Sequence, residues 1–588
     1  MREQWKIYAK KADFNKIAQQ YGITPVLARI IRNRDIVGEQ EIETYLHGSV
    51  EQLLSPYQMK DIEKAVFLIE KAIKKQVRIL VASDYDDDGI FASMILYEAI
   101  KRLGGSVTVD MPSRVKEGYG LNERMIDEAF ENGVGMIVTC DNGIAATEAI
   151  AYAKSLGIIV VVTDHHEVPF LQEDGRKKEL LPQALAVVDP KREECVYPFS
   201  GICGAVVAYK LMKALSERVD SEALLDAMEE FLEFAALATV CDVMELKDEN
   251  RILVKEGLKR MHQTRNPGLR ALIEVNGILP QKLSAYHLGF VVGPCLNATG
   301  RLDTAKRALE LLQSKEKTEA MSAARELKEL NDSRKNLTLK GVEEAERYIE
   351  ESGIYKDKVM VIYLPKVHES LAGIIAGRIR EKYYRPVFLL TRGEEGVKGS
   401  GRSIEAYHMY DAMTEVKELF TKFGGHKLAS GFSMREEDIE PLRQALNEKS
   451  GLGEEDLIPR VHIDVPMPLG YADEALAAQL ELLEPFGVGN PKPLFAQKDL
   501  IFLSGYKMGE NKTCARYRVK TPEGKSFSLV FFGDLLQFDS FLEEKYGSGA
   551  KDALYGGNAS LSVSVAYQLG VNVYRGKREM QFVMQHYC

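Results

Sequence analysis

The chain has 588 residues, 45% hydrophobic and 28% charged, with 87 acidic against 77 basic side chains for a formal net charge of −10. That length exceeds a single core and predicts roughly three to four globular domains, and the acidic balance argues against a generic nucleic-acid coat without excluding a local basic groove. No apolar run reaches the ~18 residues of a membrane span, the start MREQWKIYAKKADFNK has no signal-peptide core, and seven cysteines without a CxxC pair read as reduced thiols, so a cytoplasmic protein is expected.

Residues 1–60 read as a helical segment, as in TPVLARIIRNR and EQEIETYLHG. A repeated order of apolar run, acid and helix follows. VRILVASD, GMIVTCD and GIIVVVTD each end on an aspartate: Asp84, Asp141 and Asp164. Between them, ASMILYEAIKRLGG and AATEAIAYAKSLG are helical in pattern and close on glycine. Short β-rich runs alternating with helices predict a parallel sheet of βαβ units across residues 61–304. In such sheets the ligand crevice lies beyond the carboxyl ends of the strands, and all three acids fall on that edge. Residues 305–350, of mixed charge and almost without Gly or Pro, predict one long exposed helix joining two lobes. A smaller α/β unit is expected over 351–452, from KVMVIYL, SLAGIIAGRIREKY and PVFLLTR. From 453 to 588 the period changes to two, in RVHIDVPMPL, TCARYRVKT, KSFSLVFFG and ASLSVSVAYQL, which suits a small barrel or sandwich.

The stretch VASDYDDDGIFASMIL crowds four acids into residues 84–88, with no basic side chain until Lys101. Asp84, Asp86 and Asp88 fall on every second residue, and an extended backbone would point them to one side. Carboxylates so placed raise one another's pKa, and a divalent cation between them removes the strain. An acidic surface loop is the competing reading of that stretch alone. Asp164 opens Asp164-His165-His166, Asp141 ends the neighbouring strand, and Asp242 ends the apolar helix FLEFAALATV. Carboxylates with a single imidazole suit Mn²⁺ or Mg²⁺ better than zinc.

Taken together, these motifs resemble those of the DHH phosphoesterase superfamily. CLNATGRLDTA (Cys295 to Ala305) and GGHKLASGFSM (Gly424 to Met434) are similar to the end of the DHH domain and to the DHHA1 domain. LEPFGVGNPKPLF (Leu483 to Phe495) resembles the opening of the OB-fold domain of the RecJ family of single-strand-specific exonucleases. The resemblance implies a parallel-sheet α/β DHH domain, a connecting helix, a smaller α/β DHHA1 domain and a C-terminal OB-type β-barrel. It also implies two metal ions, Mn²⁺ or Mg²⁺: one held by Asp84, Asp86 and Asp141, the other by Asp88, Asp141, His165 and Asp242. His166 would face the scissile phosphate, Asp164 would orient a histidine, and Asp87 would point away.

The same resemblance implies that Ser400 and Arg402, on a Gly-rich turn in GSGRSI, bind a 5′-terminal phosphate together with Arg114 of PSRVKEGYG. Arg301, of NATGR, would lie close to the scissile phosphate, Asn297 would bind substrate, and GGH offers the backbone amides of Gly424 and Gly425 beside His426 for binding an anion. A surface or interdomain salt bridge is the alternative for Arg114 and Arg301. For His368, of KVHES, a structural hydrogen bond suits as well as substrate contact. Tyr506, Tyr517 and Phe531 offer rings for stacking on bases, or else fill the barrel core. The expected activity is 5′→3′ exonuclease action on single-stranded DNA in recombination and repair, by a monomer with no membrane contact. A RecQ-type helicase and a single-strand-binding protein are the implied partners. The alternatives are a phosphodiesterase for short oligonucleotides or cyclic dinucleotides, against which the segment 455–588 counts, and a non-catalytic scaffold, against which the complete motif set counts.

Overall fold

Five short apolar runs build the first sheet: β1 (Ile79–Ser83), β2 (Val107–Asp110), β3 (Met136–Cys140), β4 (Ile159–Thr163) and β5 (Ala186–Val188). All pair in parallel, in the order β2-β1-β3-β4-β5. β1 and β3 are buried at every residue, because helices cover both faces and no alternation is needed. The order reverses beside β1, so the carboxyl ends of β1 and β3 flank a topological switch point. Asp84 and Asp141 are the next residues after these two strands. Three helices pack on one another behind the sheet: α1 (Asp87–Arg102), α2 (Gly204–Val219) and α3 (Glu222–Cys241).

This is a computed structural model, and it describes residues 3–114, 117–173, 176–393, 396–509, 511–574 and 577–588. The chain divides into two compact units, Met1–Gln52 with Glu245–Arg251 and Pro459–Cys588, and Leu53–Met244 with Ile252–Ile458. No helix among the described residues is long and apolar enough to cross a membrane.

The expected long helix starts later than the sequence pattern suggests. Lys306–Gln313 is a separate helix, and α4 runs over Lys317–Ser352. Nor is α4 simply exposed. Ala320, Ala324, Leu327, Asn331, Thr338, Gly341, Ala345 and Ile349 form one buried stripe at helical spacing. Beyond it lies the second sheet, made of β6 (Met360–Tyr363), β7 (Val387–Arg392), β8 (Val397–Arg402), β9 (Lys422–Gly425) and β10 (Ala429–Met434), in the order β9-β10-β8-β7-β6. Only β6 and β7 are parallel, joined through α5 (Glu369–Tyr383).

In the other unit, Phe495–Met508, Cys514–Lys520, Ser526–Phe531, Leu561–Tyr574 and Lys577–Tyr587 close into a five-strand barrel. Tyr517 and Phe531 are buried in its core, while Tyr506 is 54% exposed. The N-terminal segment is not wholly helical: Gln4–Ile7 is a strand parallel to Arg460–Ile463. The motif Leu483–Phe495 acts as a fastener. Asn490 donates to the carbonyls of Leu483 and Pro485 and accepts from Tyr45 and Arg34. Arg251, nearly fully buried, donates to the carbonyls of Tyr45, Leu482, Leu483 and Pro485, with its guanidinium 4.0 Å from the Tyr45 ring centroid. Replacing Arg251 by Leu strands these carbonyls in a dry interior. Urea unfolding of the Arg251→Leu protein should show a loss of about 3 kcal/mol.

Candidate active site

The motif after β1 does not stay extended. Asp86 is the N-cap of α1, its carboxylate accepting from the amides of Asp88 and Gly89 at 3.1 and 3.2 Å. Asp88 therefore lies in the first helical turn, and capping rather than strand alternation turns Asp84, Asp86 and Asp88 together. Gly89 is required there, since a Cβ would sit 2.5 Å from the Asp84 carbonyl oxygen. Asp88 accepts from the amides of Gly204 and Ala205, at the start of α2, at 2.6 and 2.8 Å. Gly204 is the second required glycine: its Cβ would meet Asp141 Cβ at 2.7 Å.

Asp141 has φ +60°, a left-handed conformation that costs energy for any residue but glycine. His165, nearly buried, places Nε2 3.1 Å from Asp141 Oδ1, 3.5 Å from Asp88 Oδ2 and 3.8 Å from Asp242 Oδ2. Asp242 reaches the cluster as the C-cap of α3. Three groups result among the described residues, Asp84 with Asp86 and Asp141, Asp88 with His165 and Asp242, and Asp141 with His165 and His166, each with ligand atoms within 4.8 Å of one another. Burial, and then repulsion from neighbouring carboxylates, pushes Asp84 and Asp141 well above the usual carboxylate range and Asp242 to about 8. Burial also lowers the pKa of His165, keeping it neutral and able to bind a cation. Asp84 Oδ1 and His165 Nδ1 are buried without a hydrogen-bond partner among the described residues. Orphaned, crowded hard-oxygen donors with one imidazole fit Mn²⁺ or Mg²⁺.

Asp164 accepts from the amides of Ile144, His165 and His166 and from His166 Nδ1, the last at 2.8 Å. Burial opposes ionisation of Asp164, yet the bond and charge of His166 hold its pKa below normal. For His166, burial likewise opposes the charge, and the Asp164 carboxylate overcomes it, raising the pKa to about 9. Asp87 is not among the clustered ligand atoms. It is buried and takes a 2.6 Å bond from Asn297 Nδ2, so the Asn297 amide is occupied by the protein itself.

A cleft of about 410 Å³ adjoins, lined by Arg114, Arg301, Lys398, Ser400, Arg402 and Lys422 among others. Ser400 and Arg402 stand on β8, a strand inside the second sheet, not on a turn; glycines there serve strand packing. Arg301 donates to the Ser370 carbonyl at 2.8 Å, and its Nε is buried without a partner among the described residues. Burial, then repulsion from Arg114 and Arg334, lowers its pKa to about 10. The Arg114 guanidinium lies 5.0 Å from the Tyr85 ring centroid. Gly424 lines this cleft, whereas Gly425 and His426 are not among its lining residues. His368 caps α5, its Nδ1 taken by the amide and hydroxyl of Ser370.

Sequence reasoning missed Gly204, Lys398, Lys422 and Tyr119, the last lying in the stretch read only for Arg114. It also missed Asp189, the residue after β5, a fully buried acid pushed to about 8 by burial. A strand-end acid in AVVDP was the available signal.

Comparison with known proteins agrees with this layout. Residues 78–239 match the DHH family N-terminal domain, 356–450 the DHHA1 domain and 463–586 the RecJ OB domain. The chain is 32% identical over 583 residues to the single-stranded-DNA-specific exonuclease RecJ of Escherichia coli (strain K12), covering 96% of each. The chain belongs to the RecJ family. The crystal structure of RecJ from Thermus thermophilus in complex with Mn²⁺ is similar with a TM-score of 0.81 and 26% identity, over 100% of this chain and 79% of that one. The Mg²⁺ complex of the same RecJ gives 0.74 at 25% identity, over 99% and 78%.

Asp84, Asp86, Asp141 and Asp242 bind protons more tightly in the fold than in the unfolded chain. Without metal, stability therefore declines as pH rises from the ordinary carboxylate range of about 4 through the Asp242 value of about 8. The melting temperature of metal-free protein should fall between pH 6 and 8.5, and added Mn²⁺ should restore it. Asp141→Asn should raise the metal-free melting temperature at pH 8 and abolish the response to Mn²⁺; calorimetry that finds neither change would rule out this cluster.

Proposed function

We propose that this chain hydrolyses single-stranded DNA from its 5′ end, releasing 5′-mononucleotides, with two divalent ions, Mn²⁺ or Mg²⁺. One observation carries the reading: the carboxylate cluster at the sheet's switch point lies in the same compact unit as an arginine-lined cleft suited to a terminal phosphate. Asp84, Asp86 and Asp141 would hold one ion, and Asp88, Asp141, His165 and Asp242 the other. When bound, the ions supply positive charge to the phosphoryl oxygens and lower the pKa of water.

The chain's own groups do the rest. Arg402 and Arg114, with the Ser400 hydroxyl, grip the 5′-phosphate; guanidinium groups suit its planar, two-point recognition. Arg301, with an unsatisfied buried Nε, lies ready to meet the developing charge on the scissile phosphate. His166, protonated at neutral pH through Asp164, donates a proton or hydrogen bond to a phosphate oxygen. The barrel tracks the strand without reading its sequence. As partners we propose a helicase that delivers single strands and a single-strand-binding protein, and as location the cytoplasm.

The test uses a 3′-labelled oligonucleotide with Mn²⁺, offered as 5′-phosphorylated single strand or blunt duplex. Shortening from the 5′ end on single strand alone, lost in Asp141→Ala, is the expected result. Survival of long strands while short oligonucleotides or cyclic dinucleotides are cut would replace this reading. Arg402→Ala should raise KM for the 5′-phosphorylated strand by roughly 10- to 100-fold, the worth of a charged hydrogen bond, and much less for a 5′-hydroxyl strand.

A further inference from the structure

Tyr119 has no part in the roles assigned above. It lies on the stretch between β2 and the helix Glu123–Glu131, and its ring is half exposed at the edge of the carboxylate cluster. Its phenol oxygen is 2.5 Å from the carbonyl oxygen of Asp141 and 3.0 Å from His166 Nδ1, with His166 Nε2 farther away at 3.5 Å. The two rings meet edge to face, 5.4 Å between centroids at 70°. Asp164 Oδ1 lies 2.8 Å from the same Nδ1.

The direction of each bond follows from what each atom can do. A carbonyl oxygen only accepts, so the single phenol hydrogen goes to Asp141. The phenol oxygen then faces His166 with lone pairs alone. The Asp164 carboxylate, already receiving the amides of Ile144, His165 and His166, is an acceptor too. The acceptor at hydrogen-bond distance from Nδ1 is the Asp164 carboxylate, which has no hydrogen to give it, while the phenol oxygen, 3.0 Å from Nδ1 and 3.5 Å from Nε2, rests against the ring face. Nδ1 must carry the proton, which leaves Nε2 as the nitrogen that exchanges hydrogen with a substrate.

We propose that Tyr119 is a positioning residue that fixes His166 with Nδ1 protonated and Nε2 presented to the scissile phosphate. The same hydroxyl ties His166 to the backbone of Asp141 in its left-handed conformation, so the imidazole and that carboxylate keep one geometry. Asp164 alone fixes one point on the ring; the phenol, held by the Asp141 carbonyl and packed against the imidazole, removes rotation about that point. The proposal rests on the role of His166 given above.

The experiment compares Tyr119→Phe, His166→Ala and the double variant on single-stranded DNA with Mn²⁺. Tyr119→Phe should lower kcat by roughly 10-fold or more with KM changed less than about twofold, because substrate grip lies elsewhere. In the double variant the phenol has nothing left to orient, so its rate should equal that of His166→Ala. Multiplying losses, or a wild-type rate in Tyr119→Phe beside a slow His166→Ala, would overturn the positioning role alone. A wild-type rate in His166→Ala would instead overturn the reading of His166. Metal-free protein gives a second readout. Labelling with ¹⁵N-histidine should show a low-field Nδ1–H resonance, assigned by its loss in His166→Ala and shifted or exchange-broadened in Tyr119→Phe. Its absence from the wild type, or an identical signal in Tyr119→Phe, would likewise overturn the proposal.

Discussion

Mutual repulsion among Asp84, Asp86, Asp88, Asp141 and Asp242 governs this molecule. Burial and proximity disfavour the charged forms of Asp84, Asp86, Asp141 and Asp242. The fold holds them together with groups that stabilise negative charge: the first turn of α1, the amides at the start of α2, and the neutral imidazole of His165. A backbone strained at Asp141 belongs to the same arrangement. Strain and crowding of this kind persist only where the surrounding packing over-determines them. Here a parallel sheet buried on both faces provides that packing.

The second half of the site has the opposite polarity. Arg114, Arg301, Arg402, Lys398 and Lys422 line a cleft in which Glu369 pairs with Lys398, and Arg301 has a lowered pKa through burial and its own neighbours. A carboxylate cluster that wants cations therefore adjoins a cationic cleft that wants an anion. A phosphodiester with divalent ions satisfies both at once, which explains how a chain of net charge −10 can bind a polyanion. The overall charge is a poor guide because the relevant fields are local.

Much of this was legible in the residues. Asp84, Asp141 and Asp164 each follow an apolar run, and a run of that kind followed by a helix specifies a parallel strand whose end faces the crevice. Asp242 was legible for the same reason, as the end of an apolar helix. Other features were misread where a local pattern has two structural solutions. Spacing by two at Asp84, Asp86 and Asp88 suggested an extended backbone, but an aspartate before a helical run is equally an N-cap. Glycines around Ser400 and Arg402 suggested a turn, whereas they lie in a strand. The long charged stretch after residue 305 is two helices, the second with one buried stripe.

By itself the sequence determined the alternation of strands and helices in the first sheet, the edge on which the acids fall, and the change to period two that makes a barrel. These depend on hydrophobic periodicity and on turn chemistry, which act over a few residues. Only the tertiary structure decided that Gly204 lets a helix start against Asp141, that Tyr119 bridges Asp141 and His166, and that Asn297 is taken by Asp87. It also decided that Gln4–Ile7 pairs with Arg460–Ile463 and that Arg251 fastens Tyr45 to Leu482–Pro485. Contacts between residues far apart in the chain are chosen by packing and by the need to satisfy buried polar groups, and neither leaves a local pattern to read.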